Sequence, residues 1–274
     1  MSLFFRLLKS IQDGSFAFKF LNRISPIEYV PGPEKEINEY LAKHYPRGEN
    51  WRALSPAGRK MWIQFHPVFN QHKIQIIAYV GANEGHTALA LSEVFPGREF
   101  FLFEPAPQTF DILVEKTKQH KNMHCLNIAA GSKEEYRQML VDEFLPASSL
   151  LPYEPIAFQE YPFLGRQHNV KVHVRPLDMV MKENKTAGVD LILMDVQGYE
   201  NEVLLGAQET LKSCKVVISE LSLQALYRGS STFDSVYQSL VQQGFQLQYL
   251  LDPMQGESLQ ILQIDGIFVR DRHE

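Results

Sequence analysis

Ile76-Ile77-Ala78-Tyr79-Val80-Gly81-Ala82-Asn83-Glu84-Gly85-His86-Thr87 is an apolar run that stops at a turn of small residues and then opens a stretch with helical spacing. Such a run predicts a buried strand whose end turns sharply, so that the first amides of the following helix face a common point. Backbone with few side chains there admits close approach by a nucleotide-like ligand. The spacing is Gly-x-x-x-Gly, without the central glycine that seats a pyrophosphate in dinucleotide enzymes, which weighs against a nicotinamide cofactor. A glycine turn between strand and helix also arises for packing alone.

Working outward, short β-rich runs alternate with amphipathic stretches, the pattern of a parallel sheet covered on both faces. Strands are predicted at 74–80, 99–103, 123–129, 189–195, 215–220, 246–251 and 260–269, with helices at 84–95, 107–119 and 198–213. In the last of these helices Val203, Leu204, Ala207 and Leu211 share one face. The final two strands are expected to close as a hairpin through 252–256, where Asp, Pro and Gly suit a reversal. The fold class is α/β and Rossmann-like.

Residues 1–72 read as an N-terminal helical or irregular cap, cut by Pro26, Pro31, Pro33, Pro46, Pro56 and Pro67. Within it, Ile37, Leu41 and Tyr45 fall at helical spacing, and the surroundings of Trp51 and Trp62 are expected to dock the cap on the core. Phe4, Leu7, Leu8 and Ile11 suit a helix packed on the core, and secondarily one lying on a membrane surface. Residues 73–274 form the main domain, with a lid-like insertion at 131–176 where Pro146, Pro152, Pro155 and Pro162 interrupt the rhythm. Its aromatics suit either a lid over a site or a loop pinned to the domain.

The 274 residues carry 27 basic and 32 acidic side chains, a net charge of -5, which disfavours a protein whose work is neutralising nucleic-acid phosphates. Cys125 and Cys214 belong to no C-x-x-C pair, so neither a disulfide framework nor a zinc site is expected, and a reducing, cytoplasmic setting fits. No apolar stretch is long enough for a transmembrane segment. There is no G-x-S-x-G elbow, P-loop or H-E-x-x-H helix, and no metal is expected, although Asp195 and Glu220 are chemically suited to an ion.

The candidate site follows from the strand ends. Glu104, with Pro105 stopping its strand, is positioned to accept hydrogen bonds from ribose hydroxyls. Asn127, Ala129 and their small neighbours leave room for a flat base. Asp195 ends an apolar strand at the same edge, and Glu220 ends the next one; either acid can serve as a general base, cap a helix or bind ligand.

Val80-Gly81-Ala82-Asn83-Glu84-Gly85, Phe103-Glu104-Pro105, Pro176-Leu177-Asp178, Met194-Asp195-Val196-Gln197-Gly198-Tyr199-Glu200 and Asp265-Gly266-Ile267-Phe268-Val269-Arg270 together resemble the FkbM family of methyltransferases, in order, over residues 74–271. The resemblance implies a class I methyltransferase fold, a seven-stranded mostly parallel sheet with an antiparallel C-terminal hairpin, that binds S-adenosyl-L-methionine and commonly methylates an oxygen. It implies that Gly81, Ala82, Asn83 and Gly85 line the methionine end of the cofactor, that Glu104 meets its ribose and that Asp195 lies near the transferred methyl; Val80, Pro105, Asn127 and Ala129, read from the strand ends, join them as candidate cofactor contacts, with Glu220 as the second candidate base. The acceptor it implies is a small molecule or carbohydrate, with Tyr153, Tyr161, Arg166 and His168 of the insertion as candidate contacts. Two positions depart from the family pattern: Tyr79 replaces an acid and Leu193 replaces a lysine. An NAD-dependent oxidoreductase and a non-catalytic binding module descended from a methyltransferase are the competing readings.

Overall fold

The computed structural model describes residues 53–270 together with Asn38, Leu41 and Ala42. The expectations for residues 4–11 and for Trp51 lie outside the described residues. Helix α1 (Pro56–His72) starts with Pro56 in its first turn, and the Ser55 side chain accepts the Gly58 amide at 3.0 Å. It continues through Pro67, so this part of the cap is one helix of 17 residues rather than short pieces. Burial of Met61 and Phe65, together with a Gln64 side-chain bond to Asp252 Oδ2 at 3.0 Å, holds it against the domain despite the amide that proline lacks.

The main sheet contains β1 (Ile76–Val80), β2 (Glu99–Phe103), β3 (Met123–Leu126), β7 (Leu191–Met194), β8 (Val216–Ser222), β9 (Phe245–Gln255) and β10 (Ile261–Arg270). Its order is β3-β2-β1-β7-β8-β10-β9, parallel except that β10 runs antiparallel to both neighbours. Strict alternation sends Ile77 and Tyr79 into one apolar layer and Ala78 and Val80 into the other. The first layer is covered by α1, α2 (His86–Val94) and α3 (Pro107–Thr117). The second is covered by α5 (Leu177–Glu183), α6 (Glu200–Leu205), α7 (Gln208–Ser213) and α8 (Phe233–Gln242). The chain leaves β1 toward β2 on one side and returns through β7 on the other, which opens a crevice at the carboxyl ends of these strands.

Three local expectations change. The helix expected over 198–213 is two helices, α6 and α7, because a Cβ at Gly206 would stand 1.9 Å from the Gly131 carbonyl oxygen and the chain bends there. Asp178 caps the second piece, accepting the Glu209 and Thr210 amides at 2.9 and 2.7 Å. The hairpin turn falls at 256–259, not 252–256, with the Leu259 amide bonded to the Gly256 carbonyl at 3.1 Å. Pro253 lies inside β9, which is tolerated because β9 is the sheet edge and bulges between Leu251 and Met254.

The third change concerns the insertion. The strand expected over 123–129 divides: β3 stays in the main sheet, whereas β4 (Ala129–Ala130) joins β5 (Glu135–Asp142) and β6 (Gln167–Arg175) in a second sheet of order β4-β6-β5. Val170, Val172 and Val174 alternate along β6, and Met139, Val141, Val172 and Val174 form a separate core with Ala106 and Ala129. A short helix α4 (Pro155–Glu160) follows β5, and its neighbourhood is pinned by Tyr153, Tyr161 and Tyr227 in another apolar cluster.

Candidate functional site

Turns after β1, β2 and β7 meet at the crevice. The Gly81 and Ala82 amides both donate to the Phe103 carbonyl, at 3.0 and 2.9 Å, which ties the first turn to the end of β2. Gly81 has φ of 81°, and a Cβ there would lie 2.0 Å from the Asp195 carbonyl oxygen. Glycine is therefore required by contact between two turns of the protein itself, as well as by the left-handed backbone.

Glu104 spans the first two turns. Its Oε2 accepts the Asn83 amide at 3.0 Å and its Oε1 accepts the Ala106 amide at 2.9 Å. Burial pushes its carboxyl up to about 7, against the opposing pull of those two amide bonds. Asn127 supports this loop from behind, its Nδ2 lying 2.9 and 3.1 Å from the Glu104 and Pro105 carbonyls.

The third turn carries Asp195, buried at 8% exposure, with Oδ1 accepting from Gln197 Nε2 at 2.5 Å. Asp195 Oδ2 is buried and has no partner among the described residues. Gln197 also donates toward Glu220 Oε2 at 3.2 Å and accepts from the Tyr227 hydroxyl at 2.7 Å, so one amide group orients the carboxylate and is itself held. The backbone at Gln197 is left-handed, with φ of 53°, and the Ser149 hydroxyl secures its carbonyl at 2.8 Å. Glu200 closes the turn by accepting the Gly198 amide at 3.1 Å, and burial pushes its carboxyl up to about 7.

A cavity lies in the crevice. Val80, Gly81, Asn83, Glu104, Pro105, Ala129 and Asp195, all expected from the sequence, line it together. Four expected residues stand elsewhere. Ala82 faces an adjoining cavity beside the start of α2. Gly85 begins that helix, and a Cβ there would lie 2.6 Å from Leu113, so it is needed for packing on α3. Asn127 holds the Glu104 loop, and Glu220 lies buried behind Gln197.

Sequence reasoning missed Gln197, Tyr199, Met139 and Ser148-Ser149, which complete the walls. Tyr199 is held by Arg137 of β5, whose Nη1 donates to the phenolic oxygen at 2.6 Å. The period-two pattern of β5 and β6 was the available signal for the insertion's share of the wall. Tyr153 and Tyr161 line a second cavity that shares Gln197 with the first, whereas Arg166 and His168 are exposed. Tyr79 stays out of the crevice. It is packed in the core, and its Cα partner on the neighbouring strand is Leu193.

The family model described as "Methyltransferase FkbM domain" matches residues 79–247. The chain is 26% identical over 170 residues to 2-O-methyltransferase NoeI of Sinorhizobium fredii (strain NBRC 101917 / NGR234), covering 56% of this chain and 66% of that protein, just under two thirds of its length. Solved structures with distant similarity include the N-methyltransferase NodS from Bradyrhizobium japonicum WM9, with 11% identity, TM-score 0.45 and coverage of 80% of this chain and 98% of that one. Another is Aeropyrum pernix fibrillarin in complex with S-adenosyl-L-methionine, with 13% identity, TM-score 0.41 and coverage of 72% and 66%.

Proposed function

The chain belongs to the FkbM family of S-adenosyl-L-methionine-dependent methyltransferases, and from that premise we propose that it methylates a hydroxyl oxygen of a small molecule or carbohydrate. The observation that carries this reading is the convergence of Gly81, Glu104 and Asp195 on one cavity at the strand-order reversal. The residues present fit the cofactor. Glu104 offers a carboxylate to ribose hydroxyls, Ala129 and Ala130 leave space for a flat base, and Asp195 keeps one buried oxygen unpartnered among the described residues. The oxygen acceptor is supported by the name of the Sinorhizobium relative, a 2-O-methyltransferase.

When bound, S-adenosyl-L-methionine supplies a methyl carbon that leaves sulfur without its bonding pair and bonds the acceptor oxygen, so that a neutral thioether remains. Asp195 Oδ2 takes the proton that the acceptor hydroxyl loses as its oxygen gains that carbon. Gln197 fixes the other oxygen of Asp195, which limits the carboxylate to one orientation. Alignment of reacting atoms then contributes much of the acceleration, because the leaving group is already good. Glu220, behind Gln197, acts as a positioning residue in this scheme.

Asp195→Asn keeps the shape and an acceptor for Gln197 but cannot take the proton. Turnover is expected to fall by about two orders of magnitude or more, with affinity for S-adenosylhomocysteine preserved. Unchanged turnover removes Asp195 from the chemistry. Titration of the whole chain with S-adenosylhomocysteine and NAD, read by thermal shift, separates the methyl-donor reading from the oxidoreductase one.

A further inference from the structure

Tyr227 stands behind Gln197, in the packed apolar cluster that joins the insertion to the loop before α8. Its main chain is fixed there. The Glu154 amide donates to the Leu226 carbonyl at 2.9 Å and the Arg228 amide to the Pro152 carbonyl at 2.7 Å, so Tyr153 and Tyr227 face each other as in an antiparallel ladder. Their rings pack with centroids 5.2 Å apart, and both hydroxyls lie close to the Ala147 carbonyl, at 3.1 and 3.0 Å. Their second contacts differ: the Tyr153 hydroxyl lies 3.1 Å from Asp142 Oδ2, whereas the Tyr227 hydroxyl lies 2.7 Å from Gln197 Oε1.

A glutamine amide can face either way, because its oxygen and nitrogen exchange places on a half-turn about the last side-chain bond. Only the nitrogen donates. Asp195 Oδ1 and Glu220 Oε2 stand at 2.5 and 3.2 Å on one side of the Gln197 amide, and an ionised carboxylate accepts only, so the nitrogen belongs on that side. The oxygen then faces Tyr227, whose phenol is its donor. Ser149 already holds the main chain of Gln197, which leaves the sense of the side-chain amide for Tyr227 to fix. Gln197 is buried, so without that phenol its oxygen would have no ready donor, and a half-turn toward another one would bring an acceptor against Asp195.

Resting on the reading above that Asp195 meets the transferred methyl, we propose that Tyr227 is a positioning residue for the methyl transfer: its hydroxyl holds the Gln197 amide in the one sense that orients Asp195 and keeps Oδ2 for the ligands. Asp195 and Gln197 line the cofactor cavity and Tyr227 does not, so Tyr227 acts through Gln197. Tyr153 supplies the natural comparison, since it shares the packing and the Ala147 carbonyl but makes its other hydrogen bond to Asp142.

The test is calorimetric titration of the full chain with two ligands: S-adenosylhomocysteine, whose sulfur is neutral, and sinefungin, which carries an ammonium group where the donor carries its methyl. A carboxylate held toward that position favours the cation, so the unaltered chain is expected to bind sinefungin about tenfold more tightly. Tyr227→Phe keeps the ring and its packing and should cut this ratio about fivefold, with affinity for S-adenosylhomocysteine unchanged. Tyr153→Phe, which loses a hydroxyl from the same cluster, should leave the ratio as it was. In an Asp195→Asn background, Tyr227→Phe should change nothing further. Gln197→Met should reproduce the fall with Tyr227 intact, so an undiminished ratio there overturns the proposal even where Tyr227→Phe melts early. An unchanged ratio in Tyr227→Phe, an equal fall in Tyr153→Phe, or a further fall in the Asp195→Asn background also overturns it, while leaving the methyl-donor reading in place. Failure of both ligands to bind the unaltered chain overturns that reading, and the proposal with it.

Discussion

The floor and the roof of the crevice are built from different materials. The floor is main chain held against main chain: Gly81 presses on the Asp195 carbonyl, and Glu104 collects amides from two separate turns. The roof, from the insertion, is side chain packed on side chain, with Met139 and the segment 145–150 resting on a small sheet that has its own core. Contacts between backbones leave almost no room for substitution, whereas apolar packing accepts exchanges of similar volume. A floor of this kind suits an invariant ligand, and a roof of this kind suits one that differs between relatives.

The sharpest way to break that contrast lies beneath the floor. Tyr79 and Leu193 depart from the family pattern of acid and lysine, and they are register partners on β1 and β7 within one apolar layer. The two departures therefore stand side by side on neighbouring strands. Tyr79→Asp alone should lose roughly 4 kcal/mol of stability, as an uncompensated buried charge does. Addition of Leu193→Lys should recover part of that loss, which a double-mutant cycle of urea denaturation measures. Strictly additive losses would show that the positions are not coupled.

Next in size is Gly81→Ala. The left-handed backbone and the 2.0 Å approach to Asp195 both oppose a side chain, so a loss of about 3 kcal/mol is expected in the same denaturation experiment. Phe163→Ala in the roof, already half exposed, should cost about 0.5 kcal/mol or less. Equal losses would erase the distinction between floor and roof.

A third effect is a pH dependence of the floor alone. Glu104 is raised from its ordinary 4.5 to about 7, so the folded protein holds that proton more tightly than the unfolded chain. Stability from this group is complete below about pH 4.5 and is lost as pH rises through about 7. Ribose hydroxyls bond best to the ionised carboxylate, so S-adenosylhomocysteine affinity should rise about tenfold from pH 6 to pH 8. Glu104→Gln should flatten the profile in calorimetric titration, and a profile unchanged by that substitution would remove Glu104 from ligand binding.

Gly81, Glu104 and Asp195 were legible because each closes an apolar run, and strand ends in a parallel sheet must share an edge. Gln197 stood in the same motif but had no readable role, since its two carboxylate partners and Tyr227 come from distant segments. Residues 131–176 misled for a related reason. Their prolines mark breaks truthfully, but the alternation of Val170, Val172 and Val174 between those breaks went unread as a strand. Asp178 and Arg270, striking as motif residues, are helix and strand fasteners: one caps α7, and the other bonds the Cys214, Gln243 and Leu211 carbonyls.

By itself the amino-acid sequence determined the succession of the seven main-sheet strands, the α/β class and the acids at the sheet's carboxyl edge, because periodicity and turn chemistry act over a few neighbouring residues. Only the tertiary structure decided which of those acids share a cavity, which glycine answers to a distant carbonyl, and that Tyr79 and Leu193 are a pair. Those facts depend on contacts between segments more than 100 residues apart, such as Gly81 with Asp195, which no local pattern encodes.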